Sequence, residues 1–307
     1  MGTCLIKPIK ASTLLLSIRR VLGKPQAETV APPPSTSETA AAFPLRILVA
    51  EDNPVNQKLA IALLEKAGHR VSLAITGADA VSRWREGDFD LILMDVQMPV
   101  LDGLEATRQI RDQEKKTGTH VPIVAITAHA MAGDRERCLQ AGMDDYLSKP
   151  IHRPELLAML ARRGANRAAG RPERQSERQS EPKNTSAMAA NDVMDRAELL
   201  SRLEGDEQLL RELIDAFLDE SGPMMQQVSE AVTSQDAGGL ERAAHKLKGT
   251  VSIFGSRAAT QAALVLETMG RERDLRHAEE AFPQLKEQME ALETALVELR
   301  QETCPEF

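Results

Sequence analysis

The chain of 307 residues has only three cysteines, one tryptophan and one tyrosine, and aromatic residues make up 3% of it. Cys4, Cys138 and Cys304 are scattered, odd in number and without metal-site spacing, which argues against a disulfide framework and fits a reducing, cytoplasmic setting. An excess of positive charge is missing too. With 46 acidic against 38 basic residues the net charge is −8, so no chain-wide field favours nucleic acid or an anionic membrane. No apolar run approaches the ~20 residues of a membrane span. The opening MGTCLIKPIKASTLLLSI has too short and interrupted an apolar core for a signal peptide. Ile6 stands where myristoylation wants Ser or Thr, and Pro305 and Glu306 spoil a C-terminal prenylation box. The GxxxxGK phosphate loop is also absent.

What is present falls into segments. Residues 1–23 read as a short strand, a turn and a helix, too little to bury a core alone. Residues 24–44, with APPPSTSETAAAFP, have linker composition. From 45 to 163 strand and helix patterns alternate five times. Strands are expected at Ile47–Ala50, Val71–Ala74, Leu91–Met94, Ile123–Thr127 and Asp145–Leu147. Helices are expected at Pro54–Lys66, Ala78–Arg85, Leu104–Arg111, Gly133–Gln140 and Pro154–Arg162. The alternation predicts an α/β domain, a five-stranded parallel sheet covered on both faces. Residues 164–191, with RPERQSERQSE, read as a disordered tether. From 192 to 300 the pattern turns helical, opening on an Asp195/Glu198 capping box, with periods over 207–233, 237–254, 257–269 and 275–299. A kink is expected at Gly222-Pro223, and an all-α four-helix bundle overall.

The stretch that organises the chain is LILMDVQMPVLDG, residues 91–103, a doubly buried strand ending on Asp95. The first strand ends in Glu51-Asp52, the fourth in Thr127, and the fifth runs into Lys149-Pro150. Parallel strands deliver their carboxyl ends to one edge, so these five side chains should converge. Three clustered carboxylates repel one another unless a cation joins them, and oxygen ligands with room for water suit Mg²⁺. A hydroxyl and an ammonium beside them provide what a dianionic phosphoryl group needs. The set therefore reads as a nucleophilic carboxylate that accepts phosphate.

With ILVAEDNPVNQ, LILMDVQMPVLDG, VAITAHAM and DDYLSKP in place, residues 45–163 resemble the receiver domain of two-component response regulators. The resemblance implies a flavodoxin-like, doubly wound fold with strand order 2-1-3-4-5. It implies that Asp95 is phosphorylated, that Glu51, Asp52, Asp95 and the backbone carbonyl of Gln97 hold Mg²⁺, and that Thr127 and Lys149 bind the phosphoryl group. Tyr146 would be the aromatic that reorients with the switch, and Lys149-Pro150 would be cis. Residues 4–23 resemble the end of a second, truncated receiver that lacks its acceptor aspartate.

The second motif is His245-Lys246-Leu247-Lys248-Gly249. On a helical wheel Leu240, Ala244, Leu247, Val251 and Phe254 form an apolar stripe, and His245 lies about 200° from Leu247, with Gly249 about 40° and Lys248 about 60° from the histidine. That phase predicts an exposed histidine. A mid-helix glycine costs ~1 kcal/mol against alanine, which a close approach by another molecule would explain. Neutral imidazole is a nucleophile near pH 7, and Lys248 could steady the incoming group. The segment resembles a histidine phosphotransfer domain. His69, His120, His129, His152 and His277 carry no assigned chemistry.

Together the motifs resemble the C-terminal part of a hybrid sensor histidine kinase. They imply a relay from an upstream kinase to Asp95, to His245, and on to the receiver of a separate response regulator. The chain would act as a phosphoryl acceptor and carrier rather than an ATP-using enzyme, without direct nucleic-acid contact. A haloacid-dehalogenase-type phosphatase is disfavoured because Gln97 stands where its second acid is needed. A scaffold in which both domains merely bind is the other alternative.

Overall fold

Five parallel strands build one sheet in the order β2-β1-β3-β4-β5: β1 (Arg46–Ala50), β2 (Arg70–Ala74), β3 (Leu91–Asp95), β4 (Ile123–Thr127) and β5 (Asp145–Ser148). They belong to a computed structural model that describes residues 44–127, 132–169, 193–194 and 196–303. The strand and helix expected before residue 24, most of the two linkers, and Asp195 of the expected capping box lie outside the described residues.

The strand order switches sides between β1 and β3, which run parallel and pair Ile47 with Leu91 through Ala50 with Met94. β3 and β4 are buried along their whole lengths, as runs covered by helices on both faces must be. α1 (Pro54–Lys66) and α5 (Arg153–Ala169) line one face, with Leu59, Leu63 and Leu156 against Ile47, Val49 and Leu93. The second face buries Leu48, Ile92, Met94 and Ala125 with Ala80 and Ile110 of α2 (Gly77–Glu86) and α3 (Gly103–Thr117). α4 (Ala132–Gln140) completes the alternation.

Most element boundaries agree with the sequence pattern to within a residue or two; two departures have physical reasons. α3 continues six residues past Arg111, because Arg111 donates to the Gly142 and Val121 carbonyls and pairs with Glu114 and Asp144, binding the last turns to the sheet edge. α5 runs to Ala169, into the stretch read as linker, where alanines and arginines are good helix formers. At Pro223 the helix is not interrupted: α7 (Glu207–Thr233) passes through it as one element. Its flanks, Phe217, Met224 and Val228, are buried in the bundle, and tertiary packing outweighs the lost backbone bond.

The remaining helices are α6 (Arg196–Arg202), α8 (Ala237–Ile253), α9 (Arg257–Glu272) and α10 (Ala278–Glu302). The four long helices pack as a bundle around Leu213, Phe217, Leu247, Val251, Phe254, Leu266, Leu292 and Leu296. Phe217 and Phe254 meet at 5.0 Å between centroids with their planes tilted. The apolar core of the α1 face continues without a break into this bundle, because α1 lies against α7 and α8.

Gly103 shows how tightly the sheet edge is built. A Cβ there would lie 2.0 Å from the Asp95 carbonyl oxygen, far inside contact distance, and 3.0 Å from Met94 Cγ. Replacing Gly103 by alanine is expected to cost about 1–3 kcal/mol, the overpacking range, and to displace Asp95. Thermal unfolding checks the first effect; an unchanged midpoint would contradict it.

Candidate functional site

The carboxyl edge of the sheet brings together the five side chains the sequence pointed to. Asp95 ends β3, Glu51 and Asp52 follow β1, Thr127 ends β4 and Lys149 follows β5 in a cis bond to Pro150. Lys149 Nζ donates to Asp95 Oδ2 at 2.7 Å and lies 2.8 Å from Glu51 Oε2. Glu51 Oε1 accepts from the Asn53 amide at 3.3 Å and from Asn56 Nδ2 at 2.9 Å. The Gln97 amide donates to Asp95 Oδ1 at 3.2 Å. Asn53 caps α1 by accepting from the Val55 and Asn56 amides, which fixes the turn carrying the acid pair.

Glu51, Asp52 and Asp95 each present an oxygen within 4.8 Å of the others. Burial pushes the Asp95 carboxyl up to about 7, Lys149 opposes that, and Glu51 adds to it. Asp52 is raised by burial and by Glu51, against Lys246 and Lys149. Burial alone would lower Lys149, but Asp95 and Glu51 overcome it and hold its pKa above the usual range. One ammonium therefore does not satisfy three acids, and an all-oxygen donor set short of positive charge fits a hard divalent cation such as Mg²⁺.

The bundle supplies a second cluster. His245 Nδ1 lies 2.8 Å from Glu267 Oε1, Lys248 donates to Glu267 Oε2, and Arg271 donates to Oε1 at 2.7 Å. Glu267 is ionised: burial would raise it, but the bonds from His245 and Lys248 hold it at about 2. An ionised carboxylate only accepts, so Nδ1 carries the imidazole proton and Nε2 keeps its lone pair. Burial also pushes the His245 pKa down, Glu267 partly offsets it, and Lys149 and Lys248 push the same way as burial.

The wheel placed His245 correctly off the apolar stripe, but the expectation of exposure is wrong: His245 is 7% exposed and Lys248 5%. Two polar covers that a single-helix wheel omits account for it, Glu267 from α9 and the α/β domain itself. Glu267, fully buried, was missed by the sequence reading. Its signal was there, an acid at helical spacing among Ala263, Leu266 and Gly270 on the apolar phase of α9.

The two clusters face each other. Asn53 Nδ2 donates to Thr250 Oγ1 at 2.5 Å, and Lys246 Nζ lies 3.6 Å from Asp52 Oδ2. Farther out, Lys66 pairs with Asp206 and Arg153 with Glu204. A shared cavity of about 1210 Å³ is lined by Glu51, Asp52, Asp95, Thr127, Lys149 and His245. Gly249 explains itself here: a Cβ would meet Asn56 Nδ2 at 3.8 Å and Lys149 Cδ at 4.0 Å, so the close approach comes from the chain's own α/β domain. Those are ordinary contacts. Gly249→Ala is thus expected to stabilise the bundle by about 0.5–1 kcal/mol, while Gly249→Leu, whose branches must push Asn56 and Lys149 aside, should slow any reaction across the cavity about tenfold, a fraction of the overpacking cost. Equal rates for the two variants would show that the approach at 249 has no functional weight.

Tyr146 sits in β5 with the Arg135 guanidinium 5.8 Å from its ring centroid. His69 accepts from the Leu45 amide, and His120 bridges Asp144 and Glu114 on the opposite edge of the sheet; His129 lies outside the described residues.

Residues 47–161 match the family model "Response regulator receiver domain", and residues 212–295 match "Hpt domain". The chain is 33% identical over 255 residues to the signal transduction histidine-protein kinase BarA of Escherichia coli K12, covering 83% of this chain and 26% of BarA. It is 31% identical over 302 residues to the sensor histidine kinase GacS of Pseudomonas protegens, covering 97% of this chain and 30% of GacS. The chain thus spans under a third of either relative's length. A solved receiver domain of a Pseudomonas aeruginosa sensor histidine kinase, with magnesium coordinated in its cleft, is 50% identical over 40% of this chain and 99% of that one, at a TM-score of 0.37.

Proposed function

Since the chain belongs, over residues 47–161, to the response regulator receiver domains and, over residues 212–295, to the Hpt domains of two-component phosphorelays, we propose that Asp95 and His245 are successive phosphoryl carriers within this one chain. The observation that carries the reading is the apposition of the two residues across one cavity, with Lys149 bonded to Asp95 and against Gly249, one helical turn from His245.

In the first step an Asp95 carboxylate oxygen attacks the phosphorus of a phosphohistidine on an upstream histidine kinase, forming the acyl phosphate as the donor P–N bond breaks. In the second, His245 Nε2 attacks that phosphorus, a P–N bond forms, and the P–O bond to Asp95 breaks, returning the carboxylate. Glu267 accepts from Nδ1–H throughout, which fixes the ring and leaves Nε2 as the nucleophilic nitrogen of a residue that lines the cavity. Lys149 and Thr127 balance charge and donate to the phosphoryl oxygens. Mg²⁺, held by Glu51, Asp52, Asp95 and the Gln97 carbonyl, would neutralise phosphoryl charge. From His245 the group passes to the aspartate of a separate receiver. The upstream donor is a histidine kinase, the setting is cytoplasmic, and Tyr146 reports the state of Thr127; among the described residues no helix is long and apolar enough to cross a membrane.

Incubation with a labelled small phosphodonor and Mg²⁺ tests this. Alkali-labile label at Asp95 should appear first and acid-labile label at His245 second, at a rate independent of protein concentration. Transfer that scales with concentration would place the second step between molecules; no acid-labile label would remove His245 from the relay. Chelating the divalent ion should stop both steps.

A further inference from the structure

Lys246 is the one polar side chain of the His245–Gly249 motif that does not pair with Glu267. It reaches across the interface to Asp52, with Nζ 3.6 Å from Oδ2. Of the three acids, Asp95 and Glu51 have an ammonium from their own domain, Lys149, in direct contact. The cation paired with Asp52 comes from the bundle.

We propose that Lys246 couples the docking of the bundle to divalent-cation binding, with negative sign: docking puts a positive charge on Asp52 and weakens Mg²⁺ there, and Mg²⁺ weakens docking to the same degree. This goes beyond the relay while resting on its assignment of Glu51, Asp52 and Asp95 as the Mg²⁺ ligands. A divalent ion drawing on Asp52 and an ammonium at 3.6 Å from the same carboxylate repel each other over a few ångströms, well inside the screening length. Binding effects of this kind are reciprocal by linkage. Lys246 can yield, since its stem is flexible and its side chain is 24% exposed. The rest of the interface is the apolar contact of α1 with α7 and α8, edged by the ion pairs Lys66 with Asp206 and Arg153 with Glu204 and by the Asn53–Thr250 bond, so the loss of the Lys246 pair weakens docking without abolishing it. The bundle therefore loosens from a metal-loaded, unphosphorylated receiver, and His245 becomes open to the receiver of another protein.

The test is Mg²⁺ titration of the full chain by isothermal calorimetry, with small-angle scattering to follow docking. Lys246→Met should tighten Mg²⁺ about threefold to tenfold. A rim variant, Lys66→Glu with Arg153→Glu, keeps Lys246 but undocks the bundle, and should tighten Mg²⁺ by a similar factor; adding Lys246→Met to it should bring no further gain. Mg²⁺ should expand the wild type and leave Lys246→Met unchanged in size. Equal or weaker Mg²⁺ affinity in Lys246→Met overturns the coupling, as does a rim variant that undocks without changing affinity. Absence of Mg²⁺ binding in every variant removes the metal site and the coupling together. Tightening by both variants in a chain that never labels His245 would sink the relay and leave the coupling standing.

Discussion

Asp95→Ala will take no phosphoryl label from a small phosphodonor, and His245 in the same chain will stay unlabelled. The drop should be at least about a thousandfold, the scale on which removing a covalent nucleophile acts. The neighbouring acids do not substitute. Glu51 is occupied by Lys149, Asn56 and the Asn53 amide, and Asp52 is paired with Lys246. The variant should fold as well as the wild type or better. Asp95 is a buried carboxylate whose pKa is pushed up to about 7 by burial and by Glu51, so deleting it relieves repulsion, and Lys149 keeps Glu51 as its partner. Phosphopeptide mapping with a melting curve reads both. Alkali-labile label surviving in Asp95→Ala would mean that another carboxylate is the acceptor.

The contrast between the two sites shows what a sequence can carry. Glu51, Asp52, Asp95, Thr127 and Lys149 were legible because parallel strands must end at one edge, so a residue's place at a strand end is also its place in space. The helix pattern of the bundle fixed that His245 stands off the apolar stripe, and no more. Its burial depends on Glu267, 22 residues away on another helix, and on α1, about 190 residues away, and neither separation leaves a local pattern. Gly249 came closest to bridging that gap. Its cost in a helix announced a close approach, though only the packed domains show that the approach is made by Asn56 and Lys149 of the same chain.

Glu267 is where the second large effect is expected. Glu267→Ala should slow transfer from Asp95 to His245 about a hundredfold in single turnover, and Glu267→Gln about tenfold, within the range that misplacing a reacting group costs. Glutamine still accepts from His245 Nδ1–H but gives Lys248 no counter-charge, whereas alanine abandons both. Alanine also takes the Glu267 counter-charge from the buried Lys248 ammonium, so the bundle should lose about 3–5 kcal/mol. The pH dependence separates orientation from protonation. Glu267 opposes the lowering of the His245 pKa, and without it burial, Lys149 and Lys248 act alone, so the imidazole of the variant is neutral to still lower pH. Raising the pH from 6.5 to 8.5 should therefore not rescue Glu267→Ala; rescue would show that Glu267 governs the charge of His245 rather than its tautomer and aim. The stability difference has the opposite pH limb. The Glu267 carboxyl is held at about 2 against its ordinary 4.5, so its contribution is complete above pH 4.5 and is lost as the pH falls from there toward 2. Wild type and Glu267→Ala should converge in stability across that window, and a gap that stays constant to pH 2 would mean that the carboxylate's pairing is not what stabilises the bundle.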